Sequence, residues 1–133
     1  MHELSIAMGI VDAAVEEAQR RGVRVSAVHL RLGALSGVMK DALLFSYEVA
    51  CQGTALMGSR LIVEDIPVIV FCALCQKECP LRSVQLFVCA ECGAPTMDVR
   101  QGKELEVFAL EVQDGVQNEV RQSVGGEVRE EKV

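Results

Sequence analysis

Between Leu4 and Arg20, apolar side chains return every three or four residues, at Leu4, Ala7, Met8, Val11, Val15 and Ala18. That is the period of an amphipathic helix. Arg20 and Arg21 suit the negative end of its dipole, Gly22 suits a left-handed cap, and Gly9 is a mild cost inside it. From Arg24 to Leu32 the period falls to two, which predicts a strand with one buried face, ending at Gly33. Val28, Leu30 and Leu32 share the apolar side, with Ser26 as a polar exception. His29 falls with Ala27 and Arg31, as a solvated strand residue. A helical stripe returns at Leu43, Leu44, Tyr47 and Ala50, with Ser36 as the expected N-cap and Gly53 as the stop. "SRLIVEDI" reads as a second strand closed by Pro67. "ELEVFALEV", residues 104–112, reads as a third, with Leu105, Val107 and Ala109 alternating against Glu104 and Glu106.

These elements predict an α+β fold: a small sheet of about three strands with two helices. Residues 68–102 interrupt it and hold five of the six cysteines. We therefore expect an α/β domain made of residues 1–67 and 103–113, with a zinc-ribbon-like module of residues 68–102 inserted into it. Residues 114–133 are polar and broken by Gly125 and Gly126, the pattern of a flexible tail.

Half of the 133 residues are hydrophobic, with four Phe, one Tyr and no Trp, so the core is aliphatic. A formal charge of -6 opposes sequence-independent binding to nucleic acid or to an anionic membrane. The N-terminal stretch carries Glu3 and Asp12 and no basic cluster, unlike a signal peptide. Uncharged runs such as residues 66–76 are far shorter than the roughly 20 residues that span a bilayer. A cytoplasmic protein is expected. In such a reducing compartment, paired cysteines point to a metal rather than to disulfides.

"CALC" at 72–75 and "CAEC" at 89–92 are two C-x-x-C knuckles separated by thirteen residues. Each can deliver two sulfurs from one tight turn, and the connector is long enough to fold back. This is the pattern of a four-thiolate zinc site formed by Cys72, Cys75, Cys89 and Cys92, with iron compatible on geometry. Four protein ligands leave no position for water, so the site is structural. Cys79 has a spacing from Cys75 that could also ligate, and it ranks below the other four. Cys51 reads as a small buried residue.

The opening "MHE" offers different chemistry. His2 is expected to leave Met1 in place, so the chain would begin with an α-amine, an amide nitrogen and an imidazole. Amine and amide can close a five-membered chelate, and amide and Nδ1 a six-membered one. Three nitrogens in one plane are what Ni(II) and Cu(II) favour. Glu3 can add a fourth donor through its amide or its carboxylate. The alternative reading is that Glu3 only favours the positive end of the helix dipole and His2 is solvated.

"MHELSIAMGIVDAAVEEA", "VHLRLGALSGV", "LLFSYEVACQGT" and the two knuckles, in that order, resemble the HypA/HybF family of hydrogenase nickel-incorporation proteins over about residues 1–112. The resemblance implies a nickel metallochaperone, not an enzyme. Ni(II) would be carried at Met1, His2 and Glu3 and transferred. Zn(II) would be structural at Cys72, Cys75, Cys89 and Cys92. It further implies work with a HypB-type GTPase to load the large subunit of [NiFe] hydrogenase, and in some members urease; a homodimer stays open. Two features depart from the family. No histidine lies in the cysteine module, and the tail beyond about residue 113 is longer. The sequence shows no phosphate-binding glycine loop or nucleophile elbow, and Glu64 and Asp65 are strand neighbours that point apart. The rival reading is a zinc-ribbon interaction module without a transferable metal.

Overall fold

A computed structural model describes residues 2–114, so Met1 and all but the first residue of the expected tail over residues 114–133 lie outside the described residues. Eight elements follow in order: α1 (Glu3–Arg21), β1 (Val23–Gly33), α2 (Lys40–Cys51), β2 (Arg60–Ile66), β3 (Ile69–Cys72), β4 (Lys77–Pro80), β5 (Val99–Gln101) and β6 (Leu105–Asp114). Two three-stranded sheets form, ordered β2-β1-β6 and β4-β3-β5. The α+β class, with two helices, a small sheet and a separate cysteine-bearing sheet, is as the pattern predicts. The chain divides into two compact units. One holds residues 2–31, Val38–Glu64 and residues 106–114; the other holds Leu32–Gly37 and Asp65–Leu105.

In the first unit α1 ends where expected. Gly22 takes φ 67°, and its N–H reaches the carbonyls of Ala18 and Gln19. Its buried face differs from the expected stripe. Ala7, Ile10, Val11, Ala14 and Ala18 are buried, whereas Leu4 and Met8 are 44% and 51% exposed. Apolar residues cover more than one side of α1, so periodicity alone admits two stripes. The buried one is rich in alanine, which lets α1 lie close against α2.

The second helix starts at Lys40, not after Ser36, and its N-cap Met39 makes no side-chain cap bond. Instead the Glu3 carboxylate, in the first turn of α1, accepts the Met39 N–H at 3.0 Å. An acidic group from elsewhere thus satisfies an N–H that a local Ser would otherwise take. Leu43, Tyr47 and Cys51 form the buried face of α2. The Tyr47 hydroxyl and the Ser59 Oγ are 2.7 Å apart, and Cys51 Sγ lies 3.7 Å from the same oxygen. Burial pushes the Tyr47 phenol well above its usual range, so it stays neutral.

Strand β1 explains the Ser26 exception. Val25, Ala27, Val28, Leu30 and Leu32 are all buried, so the buried parity changes between Ala27 and Val28. Strand β6 changes likewise between Ala109 and Leu110, since Val107, Ala109, Leu110 and Val112 are buried. Ser26 and His29 therefore share the polar side, although they differ in parity. Ser26 Oγ donates to the Glu111 carbonyl at 3.2 Å, and His29 Nε2 lies 2.6 Å from the Glu111 carboxylate. His29 also meets the Phe108 ring edge-on at 5.8 Å, and the Arg31 guanidinium sits 4.0 Å over that ring. His29 is thus a half-buried, paired residue, not a solvated one. A strict period of two hides this, because the buried parity changes partway along both strands.

In the second unit β3 is the central strand. It pairs antiparallel with β4 in the register Val70↔Cys79 and Cys72↔Lys77, and with β5 in the register Val70↔Val99. Val68, Val70, Cys72, Cys79 and Cys89 form its buried core, with Leu35, Leu81, Ala94 and Val99 packed around them. Gly33 and Gly102 pass too closely for any side chain: a Cβ on Gly33 would lie 2.1 Å from the Gly102 carbonyl oxygen. That close passage carries the Gly33 N–H to the Glu104 carbonyl and the Leu35 N–H to the Gly102 carbonyl, both at 2.7 Å.

Candidate metal centres

The first knuckle is the turn between β3 and β4. Cys72 ends β3, and Gln76 follows Cys75 with φ 57°, the one positive φ among the described non-glycine residues. The Gln76 N–H closes the turn onto the Cys72 carbonyl at 2.7 Å. The second knuckle repeats this construction. Gly93 follows Cys92 with φ 77°, and its N–H bonds the Cys89 carbonyl at 2.9 Å. Each turn also aims a backbone N–H at its leading sulfur, from Cys75 to Cys72 Sγ at 3.5 Å and from Glu91 to Cys89 Sγ at 3.4 Å. The glycine of the second turn is visible in the sequence. Gln76 is not, since nothing in its chemistry signals a left-handed backbone.

The two turns bring Cys72, Cys75, Cys89 and Cys92 together, with all four sulfurs within 4.8 Å of one another. Cys72 and Cys92 Sγ are 3.7 Å apart, and Cys75 and Cys89 Sγ are 3.9 Å apart. Four sulfurs at about 2.3 Å from a shared zinc, tetrahedrally arranged, would be about 3.8 Å apart. The cluster therefore fits a tetrahedral thiophilic cation. Cys72 and Cys89 are buried, Cys75 is half-buried and Cys92 is exposed, so the centre lies at the surface of its unit with its two leading sulfurs inward.

The close contacts also shift two of the four thiols. N–H bonds from Cys92 and Glu91 pull the Cys89 thiol down to about 6. The neighbouring Cys92 sulfur, aided by desolvation, pushes Cys75 up to about 12. Cys75 and Cys89 are thus driven in opposite directions, one by a crowding sulfur and the other by N–H donors. Lys77 and Glu91, one beside each knuckle, form a 2.8 Å ion pair. The Glu91 carboxylate raises the Lys77 ammonium above its usual range, and Cys75 and Cys89 add to that. Both side chains are more than half exposed, so the pair orients the turns more than it stabilises them.

Cys79, ranked below the four, takes a position that its spacing only hints at. It is buried, and its thiol donates to Cys89 Sγ at 3.7 Å, while it stays outside the group of four mutually close sulfurs. Cys51 belongs to the Tyr47–Ser59 contact in the other unit.

At the chain start, His2 is exposed, with an extended backbone (φ −92°, ψ 118°), and immediately precedes α1. Its carbonyl accepts the Ile6 N–H at 3.2 Å, the first bond of the helix. Glu3 lies in the first turn. The Met39 N–H, together with its own N–H, holds its carboxyl below the ordinary glutamate range. Met1, the third residue expected there, lies outside the described residues. His29 is held by Glu111 and Phe108. Among the described residues no helix is long and apolar enough to cross a membrane.

Comparison with known proteins matches these features. Residues 1–112 match the family model described as hydrogenase/urease nickel incorporation, metallochaperone, HypA. A hydrogenase maturation factor HypA from Chloroflexus aurantiacus is 52% identical over 112 residues, covering 84% of this chain and 98% of the relative. One from a Roseiflexus species is 50% identical over 115 residues, covering 86% and 94%. The fold is also that of two solution structures, each 21% identical: the Ni metallochaperone HypA from Helicobacter pylori (TM-score 0.59, covering 86% of this chain and 99% of that one) and a HypA protein (TM-score 0.63, covering 85% and 97%). With the two helices, the two small sheets and the four-sulfur cluster in place, the chain belongs to the HypA family of hydrogenase maturation factors.

Proposed function

We propose that this protein is a nickel metallochaperone that acquires Ni(II) at its N-terminus and delivers it during maturation of [NiFe] hydrogenase. Family membership supports the nickel cargo, and the exposed, extended start of the chain is what supports the site. The Met1 amine, the His2 amide and the His2 imidazole supply three nitrogens, and Glu3 completes the set. His2 lies before the first helical hydrogen bond closes, so its backbone nitrogen is outside the helix ladder and open to a metal. A site on a chain end can be loaded and emptied without unfolding anything. Zn(II), held by Cys72, Cys75, Cys89 and Cys92, keeps the second unit folded and is not transferred.

The protein performs no catalysis in this reading. It works in the cytoplasm with a HypB-type GTPase and passes nickel to the hydrogenase large subunit. Leu4 and Met8, the exposed apolar residues of α1, lie one and two turns from the chain end and form part of the docking face. Isothermal titration of nickel into the untagged protein tests this. One strong site, lost in His2→Ala with zinc content unchanged, supports the chaperone. Equal nickel binding by both proteins removes its mechanism.

A further inference from the structure

We propose that Cys79 is an outer-shell positioning residue of the four-sulfur centre, whose thiol donates to the Cys89 sulfur and holds that vertex in place. The inference rests on Cys72, Cys75, Cys89 and Cys92 being the zinc ligands.

Three observations carry it. The first is geometry. Cys79 Sγ is 3.7 Å from Cys89 Sγ, with the thiol as donor, yet Cys79 is not among the four sulfurs that are all mutually close. It touches one vertex from outside the shell. The second is placement. Strand β4 presents Lys77, Glu78 and Pro80 to solvent and only Cys79 inward, where it is 3% exposed. Its register partner is Val70, in the strand that ends at Cys72. The strand is therefore built to deliver one side chain to the centre. The third is charge. Zinc with four thiolates carries two net negative charges, and Cys72 and Cys89 are 1% and 2% exposed. Buried anionic sulfurs need donors. Cys72 receives the Cys75 N–H, while Cys89 receives the N–H groups of Cys92 and Glu91 and, in addition, the Cys79 thiol.

An S–H group is a weak donor, but one aimed at a metal-bound thiolate withdraws charge from it and fixes its direction. Loss of such outer partners typically costs about 10–100-fold in metal affinity. A thiol belongs at the low end of that range. Packing alone would be met as well by valine, which strands favour and which has no polar hydrogen.

The test compares Cys79→Ala, Cys79→Val and Cys79→Ser, each zinc-loaded, by the rate of zinc transfer to a chromogenic chelator. Parallel cobalt(II)-substituted samples are read by their sulfur-to-metal charge-transfer band. We expect Ala and Val to release zinc about 10-fold faster. Their charge-transfer band should move to lower energy, because a thiolate without a donor gives up charge more easily. Ser, which keeps an O–H donor, should stay close to the unaltered protein in both readouts. If Val matches the unaltered protein, Ser is the worst variant and no band moves, Cys79 is a packing residue and the proposal fails. If Cys79→Ala loses stoichiometric zinc while Cys75→Ala keeps it, Cys79 is itself a ligand, and both the proposal and the ligand set fall. Cys72→Ala, run alongside, separates the two ideas: if it retains zinc, the four-cysteine reading is at fault rather than Cys79.

Discussion

The two units of this chain reach order by different routes. The first buries a continuous aliphatic face: Ile10, Val11, Val28, Leu30, Leu43, Leu110 and Val112 are each no more than 1% exposed. Each such side chain contributes about 1.5–3 kcal/mol on leaving water. The second has strands of three or four residues, and three of its five core residues are cysteines. So short a segment buries little apolar area to offset the entropy of ordering it, and the metal proposed for its four sulfurs would supply the difference. The contrast extends to function. A closed four-sulfur centre, with two of its sulfurs buried, suits a metal that stays. The site proposed around the exposed His2 suits a metal that leaves.

The sharpest way to break this contrast is to remove the second unit's sulfurs one at a time. Cys72→Ala, Cys75→Ala, Cys89→Ala or Cys92→Ala should release zinc and unfold the second unit, with the first unit staying folded. Zinc binding in small zinc-dependent folds is on the order of 10–16 kcal/mol, and no other core replaces it. Amide hydrogen exchange by segment reads the outcome. Collapse of both units together would show that they share one cooperative transition. X-ray absorption should find only sulfur around the zinc.

Next in size is loss of the proposed nickel site. His2→Ala should abolish strong nickel binding, and a short N-terminal extension should weaken it as much by converting the amine to an amide. Zinc content and the unfolding temperature should not change. Nickel affinity should also fall as the solution is acidified, because the ligand nitrogens must first lose protons. Titration calorimetry on the three proteins decides.

Truncating the first unit's core is the reciprocal experiment. Leu30→Ala should cost about 2–5 kcal/mol, from lost transfer energy and the cavity left behind. Denaturant unfolding should place that cost in the first unit, with the cobalt-substituted sulfur centre spectrally unchanged. A shifted charge-transfer band would mean that strain passes between the units.

The smallest effect concerns Glu3. The Met39 N–H lowers its carboxyl pKa in the folded chain. Its stabilising contribution is therefore complete above the ordinary glutamate range and is lost as the pH falls through the lowered folded value. Glu3→Gln should lower the melting temperature modestly at neutral pH. The gap to the unaltered protein should close in acid, and a gap that persists there would remove the cap role. Because the carboxylate is already engaged with α2, the Glu3 amide is the donor left to complete the nickel set, and Glu3→Gln should keep most of the nickel affinity.

Local chemistry determined much of this molecule directly. The helical period, Gly22 as a cap, and strands at β1, β2 and β6 could all be read from neighbouring residues, because caps and alternation are set within a few positions. The knuckles could be read too, since C-x-x-C is itself a local geometry. Other features needed the folded chain. Which stripe of α1 is buried depended on α2. The start of α2 depended on a carboxylate 36 residues earlier in the chain. The parity changes at Ala27–Val28 and Ala109–Leu110 placed His29 beside Glu111, 82 positions away. Cys79 looked like a weaker ligand until strand pairing set it behind Cys89. Each of these is a contact between segments distant in the chain, and residue spacing carries no information about the direction from which a distant segment arrives.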